Sequence, residues 1–414
     1  MTDSSTQNTC PAYIASLDAD DPLAHCRERF QLPPGVIYLD GNSLGALPRA
    51  VPARLAQAVT QEWGVGLIRS WNDADWYPAP QRVGARIAPL IGAAAGEVIA
   101  CDSTSVNLFK VLVAGLRLRP GRHRIVGERG NFPTDGYVAS GVAELMHADF
   151  LAVAPSEVLD AIDDSVAVVS LTHVNYKSGR VYDMAEITRR AHAVGALVCW
   201  DLCHTAGAMP CELSALNVDF AVGCGYKYLN GGPGAPAYVF VASRHQAALQ
   251  PAIQGWHGHA QPFAFAEGYE AAPGLDRLLV GTASQLGLIA LEAALDAFDG
   301  VDLALLRRKS VLMTALFIAL CDAQLSGFAL ATPRDEAWRG SQVSLMHPEG
   351  YAIMQALIAR GVIGDFRAPN ILRFGFAALY LRFEEVWRAV ETLKDVMATE
   401  AWKAPAFMRR KAVT

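Results

Sequence analysis

VAVVSLTH (166–173), ALVCWD (196–201) and DFAVGCG (219–225) are short apolar runs, each bounded by polar or turn residues. A strand with one wet face alternates apolar and polar positions. Continuous apolar character instead suits strands buried on both faces, as in a parallel sheet covered by helices. Runs of the same kind flank these three: EVIACD (97–102), HRIVGE (123–128) and DFLAVA (149–154) before them, AYVFVAS (237–243) after. The stretch from Met184 to Val194 has helical spacing, and Gly195 follows it as a stop, so a βαβ crossover is predicted between two of the strands. The region is therefore α/β with a mostly parallel sheet.

Working outward, residues 284–320 turn helical, with Leu286, Ile289, Ala290, Ala293 and Ala294 predicted as a buried stripe on a long helix leaving the large domain. Beyond Ser326, the runs FALATP (328–333), QVSLMHP (342–348) and NILRFGF (370–376) alternate with helical stretches near 350–360 and 383–399. They predict a smaller C-terminal α+β domain. The division expected is 1–60 as an N-terminal segment packing on both domains, 61–300 as the large domain and 301–414 as the small one.

At 414 residues and 52% hydrophobic content, the chain can fill a large core in two or three domains. A net charge of −6 argues against gripping nucleic acid or an anionic membrane surface. The opening MTDSSTQNTC lacks the basic and apolar regions of a signal peptide, and no apolar run approaches the roughly 18 residues of a membrane span. A cytoplasmic enzyme is expected. The eight cysteines never form C-x-x-C, so neither a disulfide framework nor a zinc ribbon is suggested. The nearest approach to a metal cluster is Cys199, Cys203, His204 and Cys211. Cys199 and Cys203 read instead as small buried hydrophobes, and no metal is expected.

Ligands of open α/β sheets bind beyond the carboxyl ends of the strands, so polar residues there carry most weight. GYKYLNGGPG (225–234) places Lys227 between two tyrosines after an apolar strand. A lysine in apolar surroundings has its amine pKa lowered, as imine formation with an aldehyde cofactor requires. Asp201, ending its own run, can pair with a pyridine nitrogen or cap the following turn, and His204 lies three residues on. Ser103, Thr104 and Ser105 precede an apolar helix, where free N–H groups and hydroxyls suit a phosphate. No G-x-x-x-x-G-K-[ST] or G-x-G-x-x-G follows a strand, so that phosphate is not a nucleotide's. NFPTD (131–135) offers Phe132 as a ring to stack on a flat cofactor. Arg373, inside an apolar strand, needs a carboxylate partner, structural or substrate.

Taken together, YLDGNSLG (38–45), RSWN (69–72), NFPTD, LTHVNYKSG (171–179), WDLCHTAGA (200–208), GYKYLNGGPG and LRFGF (372–376) resemble the kynureninase family, in family order across nearly the whole chain. The resemblance implies fold type I of the pyridoxal-phosphate enzymes, with a three-layer large domain. It implies hydrolysis of L-kynurenine to anthranilate and L-alanine, with 3-hydroxykynurenine as a second substrate, in tryptophan catabolism. By the same resemblance Lys227 carries pyridoxal 5'-phosphate, with Asp201, Asp135 and His204 near its pyridinium. Ser103, Thr104 and Tyr226 bind phosphate, Phe132 stacks, Pro133, Thr134 and Thr172 border the ring, and Tyr226 also relays protons. Trp256 and Thr282 reach in from the second subunit of a homodimer, Arg373 holds the α-carboxylate, and Trp71 lies by the substrate. Animal members carry asparagine at the place of Thr282 and a histidine near Trp71, and their absence here favours unhydroxylated kynurenine. A cysteine desulfurase or class V aminotransferase of the same fold, or a cofactor-free binding protein, are the alternatives. Cys211 and Cys321, set in ordered apolar patterns, make poor mobile desulfurase thiols.

Overall fold

The computed structural model describes residues 10–410, so nine of the ten residues read as lacking a leader lie outside the described residues. Strand β1 (Ile37–Tyr38) precedes the large sheet, which is built from β2 (Val98–Ala100), β3 (Arg124–Glu128), β4 (Asp149–Val153), β5 (Val166–Thr172), β6 (Leu197–Asp201), β7 (Phe220–Gly223) and β8 (Tyr238–Val241). All seven apolar runs become its strands, in the order β2-β8-β7-β6-β5-β3-β4. The strands β7, β6, β5, β3 and β4 are parallel, and β8 runs against both its neighbours. Strands β5 to β8 are buried along their length, the physical reason for their unbroken apolar character.

The period of two along each strand divides the core between two helical layers. Leu197 and Cys199 of β6 face a cluster with α4 (Thr104–Leu118) and α5 (Pro133–Leu145). Val198 and Trp200 face the opposite cluster, with α3 (Ala79–Ile87), α6 (Met184–Ala193) and α7 (Gln285–Ala294). Helices α1 (Pro11–Ala19) and α2 (Ala50–Gln57) come before these in the chain.

The helical pattern after Ser284 is two helices rather than one. A tight turn at Leu295–Phe298 ends α7, Gly300 takes a left-handed φ of 70°, and Asp302 starts α8 (Leu303–Gln324) by accepting from the Ala304 N–H at 2.7 Å. Leu286, expected in the buried stripe, is 38% exposed, while Ile289, Ala290, Ala293 and Ala294 are buried.

The C-terminal part holds a four-stranded antiparallel sheet ordered β12-β13-β10-β9, from β9 (Ala329–Leu330), β10 (Gln342–Met346), β12 (Asp365–Arg367) and β13 (Ile371–Gly375). Helices α9 (Gly350–Ile358) and α10 (Phe383–Ala398) pack with it. Strand β11 (Val362–Ile363) pairs instead with β1, tying residues far apart in sequence. The same early segment joins Arg27 to Glu385 by two bonds of 2.8 Å, and Asp21 to Lys309 at 2.7 Å. Among the described residues no helix is long and apolar enough to cross a membrane, and no group of three or more His, Cys, Asp or Glu is placed to hold a metal ion.

Candidate active site

Beyond the carboxyl ends of β5, β6 and β7 lies a cavity of about 200 Å³. Register explains why distant residues share it: Thr172, the last residue of β5, is paired with Asp201, the last of β6, which is paired in turn with Val222 of β7. The loop after β7 then carries Tyr226 and Lys227 to the cavity wall. Thr104 and Ser105 enter from the start of α4, and Phe132, Thr134 and Asp135 from the start of α5.

Lys227 Nζ lies 3.0 Å from His204 Nε2. Burial, reinforced by the charge of Lys227, holds the His204 imidazole well below its ordinary pKa. A neutral imidazole can accept from the ammonium at Nε2, which puts its own proton on Nδ1. That Nδ1 is buried and has no hydrogen-bond partner among the described residues.

The expected lowering of the Lys227 pKa is corrected by the structure. Burial does oppose the ammonium, but Cys224, Cys203, Tyr226 and Asp201 outweigh it and push the amine above its ordinary value. A strand end that gathers acidic groups is not the apolar pocket that the flanking sequence implies.

Asp201 accepts the Cys203 N–H at 2.7 Å, so it closes the turn after β6 and still borders the cavity. Asp135 is bonded to Asp201 and accepts from Asn131 Nδ2 at 2.9 Å. Burial, with the adjacent charge of Asp201, keeps the Asp135 carboxyl protonated well above the carboxylate range. The proton between the two carboxyl groups is thus held by Asp135. Burial first, then Cys224, pushes the Tyr226 phenol up to about 12, so it acts as a donor.

Arg373 is 2% exposed, and its fork is engaged. Its Nε donates to Asp365 Oδ1 at 2.6 Å, its Nη2 bonds both Asp365 Oδ2 and Ser43 Oγ, and its Nη1 donates to the Tyr176 carbonyl at 2.8 Å. Of the two partners open to it, the structural carboxylate is the one in place. Arg367 adds a second guanidinium, 2.8 Å from Asp365. Beside them burial, then the charge of Asp365, pushes Asp40 up to about 7.

Not every expected site residue lines this cavity. Ser103 is exposed and caps α4, accepting the Val106 N–H at 3.4 Å, and Ser105 lines the wall in its stead. Pro133 is the first residue of α5 and borders the cavity only through its neighbours. Trp71 packs edge-on against Trp76, away from the wall. Trp256 and Thr282 are exposed and also lie off it. Cys203, read as a buried hydrophobe, is partly exposed and lines it, whereas Cys199 is in the core.

Asn42, Ser43, Tyr176 and Arg367 line the cavity without having been assigned to it. The first three stand inside quoted motifs, so the motifs themselves were the available signal. Arg367 belongs to a three-residue strand too short to leave a periodic pattern.

Comparison with known proteins gives this geometry relatives. A family model described as the kynureninase C-terminal domain matches residues 306–393. A kynureninase of Burkholderia pseudomallei (strain 1106a) is 53% identical over 96% of this chain and 98% of its own. One of Pseudomonas fluorescens is 49% identical over 99% of this chain and 100% of its own. Among solved structures, the cysteine desulfurase CsdA of Escherichia coli matches with a TM-score of 0.78 at 19% identity, over 91% of this chain and 98% of that one. A C-DES variant with glycine covalently linked to its PLP cofactor matches with a TM-score of 0.76 at 17% identity, over 89% and 99%. The desulfurase likenesses carry the fold alone. The near-full-length identity of about half the residues carries more, and this chain belongs to the kynureninase family.

Proposed function

We propose that this chain hydrolyses the Cβ–Cγ bond of L-kynurenine, releasing anthranilate and L-alanine, with pyridoxal 5'-phosphate as cofactor. The observation that carries the reading is the convergence of a lysine amine, a carboxylate, an aromatic face and helix-start hydroxyls in one cavity of a kynureninase-family chain. The donor set fits that cofactor: Lys227 for its aldehyde carbon, Asp201 for its pyridine nitrogen, and Thr104, Ser105 and Tyr226 for its phosphate. The partnerless His204 Nδ1 supplies a further buried polar group beside them. When bound, the cofactor supplies an electron sink that lets bonds at the substrate's α and β carbons break.

The chain's own residues handle the protons. Lys227 Nζ, once free, takes the α-proton and returns it, with neutral His204 at 3.0 Å to share its charge. The Tyr226 hydroxyl binds phosphate and donates at the ketone stage. Arg373 holds the substrate carboxylate, which requires one arm of its fork to leave Asp365 or Ser43. Arg367 then remains on Asp365.

A homodimer belongs to this reading, with Trp256 and Thr282 completing the neighbouring subunit's phosphate site. It is supported by uncovered apolar side chains at Trp63, Ile68, Phe263 and Phe265, the last 81% exposed. A division of the chain near residue 301 is supported by the break between α7 and α8. A cytoplasmic setting is supported by Cys26, Cys101, Cys199, Cys203, Cys211, Cys224 and Cys321, which all remain thiols.

The test is covalent. Borohydride reduction of the purified protein should fix cofactor to Lys227, and Lys227→Ala should lose both that label and anthranilate release. Cofactor fixed to another lysine would overturn the assignment.

A further inference from the structure

Two cysteines meet beside Lys227: Cys203, read from the sequence as a small buried hydrophobe, and Cys224. Asp201 of β6 pairs with Val222 of β7, and the Leu202 N–H extends that ladder to the Val222 carbonyl at 2.8 Å. Just past that bond both segments leave the ladder, Cys203 in the turn after β6 and Cys224 directly after β7, and the two come together there. The two thiols are hydrogen-bonded to each other, and Cys224 Sγ lies 4.0 Å from the Cys203 carbonyl. Cys203 Sγ is also 3.7 Å from Thr104 Oγ1 and lines the cavity, which gives a small oxidant a route to the pair.

We propose that Cys203 and Cys224 are an oxidation-sensitive thiol pair, closed to a disulfide by a peroxide that enters through the cavity, and that closure switches the site off. One sulfur attacks the peroxide, the O–O bond breaks, and a sulfenic acid and one water result. The second thiol then displaces the hydroxyl, forming the S–S bond and a second water. Two thiols are oxidised and one peroxide is reduced, with no electrons left over. Burial opposes ionisation, but the Cys203 hydrogen bond and the Lys227 ammonium bring Cys224 down to about 7, which supplies the thiolate this chemistry needs. Closure matters because Cys203 sits between Asp201 and His204, and Cys224 three residues before Lys227. A bond between them shifts both loops.

The loss of turnover rests on the function proposed above; the linkage does not. Holoprotein treated with hydrogen peroxide, alkylated and digested should yield a Cys203–Cys224 linked peptide two hydrogens lighter than the separate ones. Anthranilate release should fall by roughly 10²-fold, the cost of displacing catalytic groups by about 1 Å, and should return with dithiothreitol. Cys203→Ala should resist the same treatment. Absence of the linked peptide, a linked protein with full activity, or equal inactivation of Cys203→Ala would each overturn the proposal. A protein that forms the linkage yet never releases anthranilate refutes the proposed function, whereas one that turns over kynurenine without forming it refutes the thiol pair.

Discussion

Arg373 shows how one side chain can be legible by residue type while its resting partner is not. A buried guanidinium needs a carboxylate, and the strand NILRFGF announces as much. Which carboxylate depends on β12, whose Asp365 faces Arg373 across the ladder. Arg373→Lys keeps the charge on Asp365 but loses the fork, so on the proposed role KM should rise by about tenfold or more, from the roughly 1.5–3 kcal/mol of a charged hydrogen bond. Cofactor absorbance should not change. Arg373→Ala also strips Asp365 of its main partner and should cost about 3–5 kcal/mol in urea unfolding. Steady-state kinetics beside unfolding curves separates the two effects.

Elements set where such residues stand, and two of them expose their constraints. Gly45, after β1, donates its N–H to the Tyr226 carbonyl at 2.8 Å, and a Cβ there would come within 2.2 Å of the Lys227 carbonyl. Gly45→Ala must therefore push the Lys227 loop away, and we expect about a hundredfold loss of kcat with little loss of fold, measured by turnover and circular dichroism. At the opposite end of the sheet Asp219, next to β7, binds His192 of α6 at 2.8 Å, His245 and Arg244 at 2.7 Å, and the Val198 N–H of β6 at 2.8 Å. Burial opposes its ionisation, but these partners win and hold the carboxyl far below its ordinary range. A lowered folded pKa contributes stability that is present above the unfolded value and lost as pH falls through the acid range. Asp219→Asn should then cost about 3–5 kcal/mol at neutral pH. The gap in Tm between variant and parent should narrow progressively below pH 4, where the unfolded carboxyl of the parent is also protonated.

For the whole molecule, the site is proposed to need two chains. Lys227→Ala and Trp256→Ala, each inactive or weakened alone, should regain activity when unfolded together and refolded, because a mixed dimer contains one site with both native residues. No regain over the separate variants would argue that each subunit's site is self-contained. Phe265→Asp, placed on the uncovered apolar face, should shift the protein toward monomer in analytical ultracentrifugation.

Much of the fold and part of the site were legible in the chain itself. Strands buried on both faces must be apolar throughout, so β5 to β8 announced themselves locally, and the edge strand β4 was apolar enough to be read with them although it is largely uncovered. Lys227, Asp201, His204, Phe132 and Thr104 stood at strand ends or helix starts, and those ends meet at one cavity. Three-residue β12, the break between α7 and α8, and the displacement of Ser103 by Ser105 carried no periodic signal. By itself the sequence determined the parallel core, the order of its strands along the chain and the family. Only the tertiary structure decided that Arg373 rests on Asp365, that Cys203 meets Cys224, and that Lys227 is pushed up rather than down. Burial pattern is a property of consecutive residues, whereas pairing and electrostatics sum over neighbours that the sheet register brings together from far along the chain.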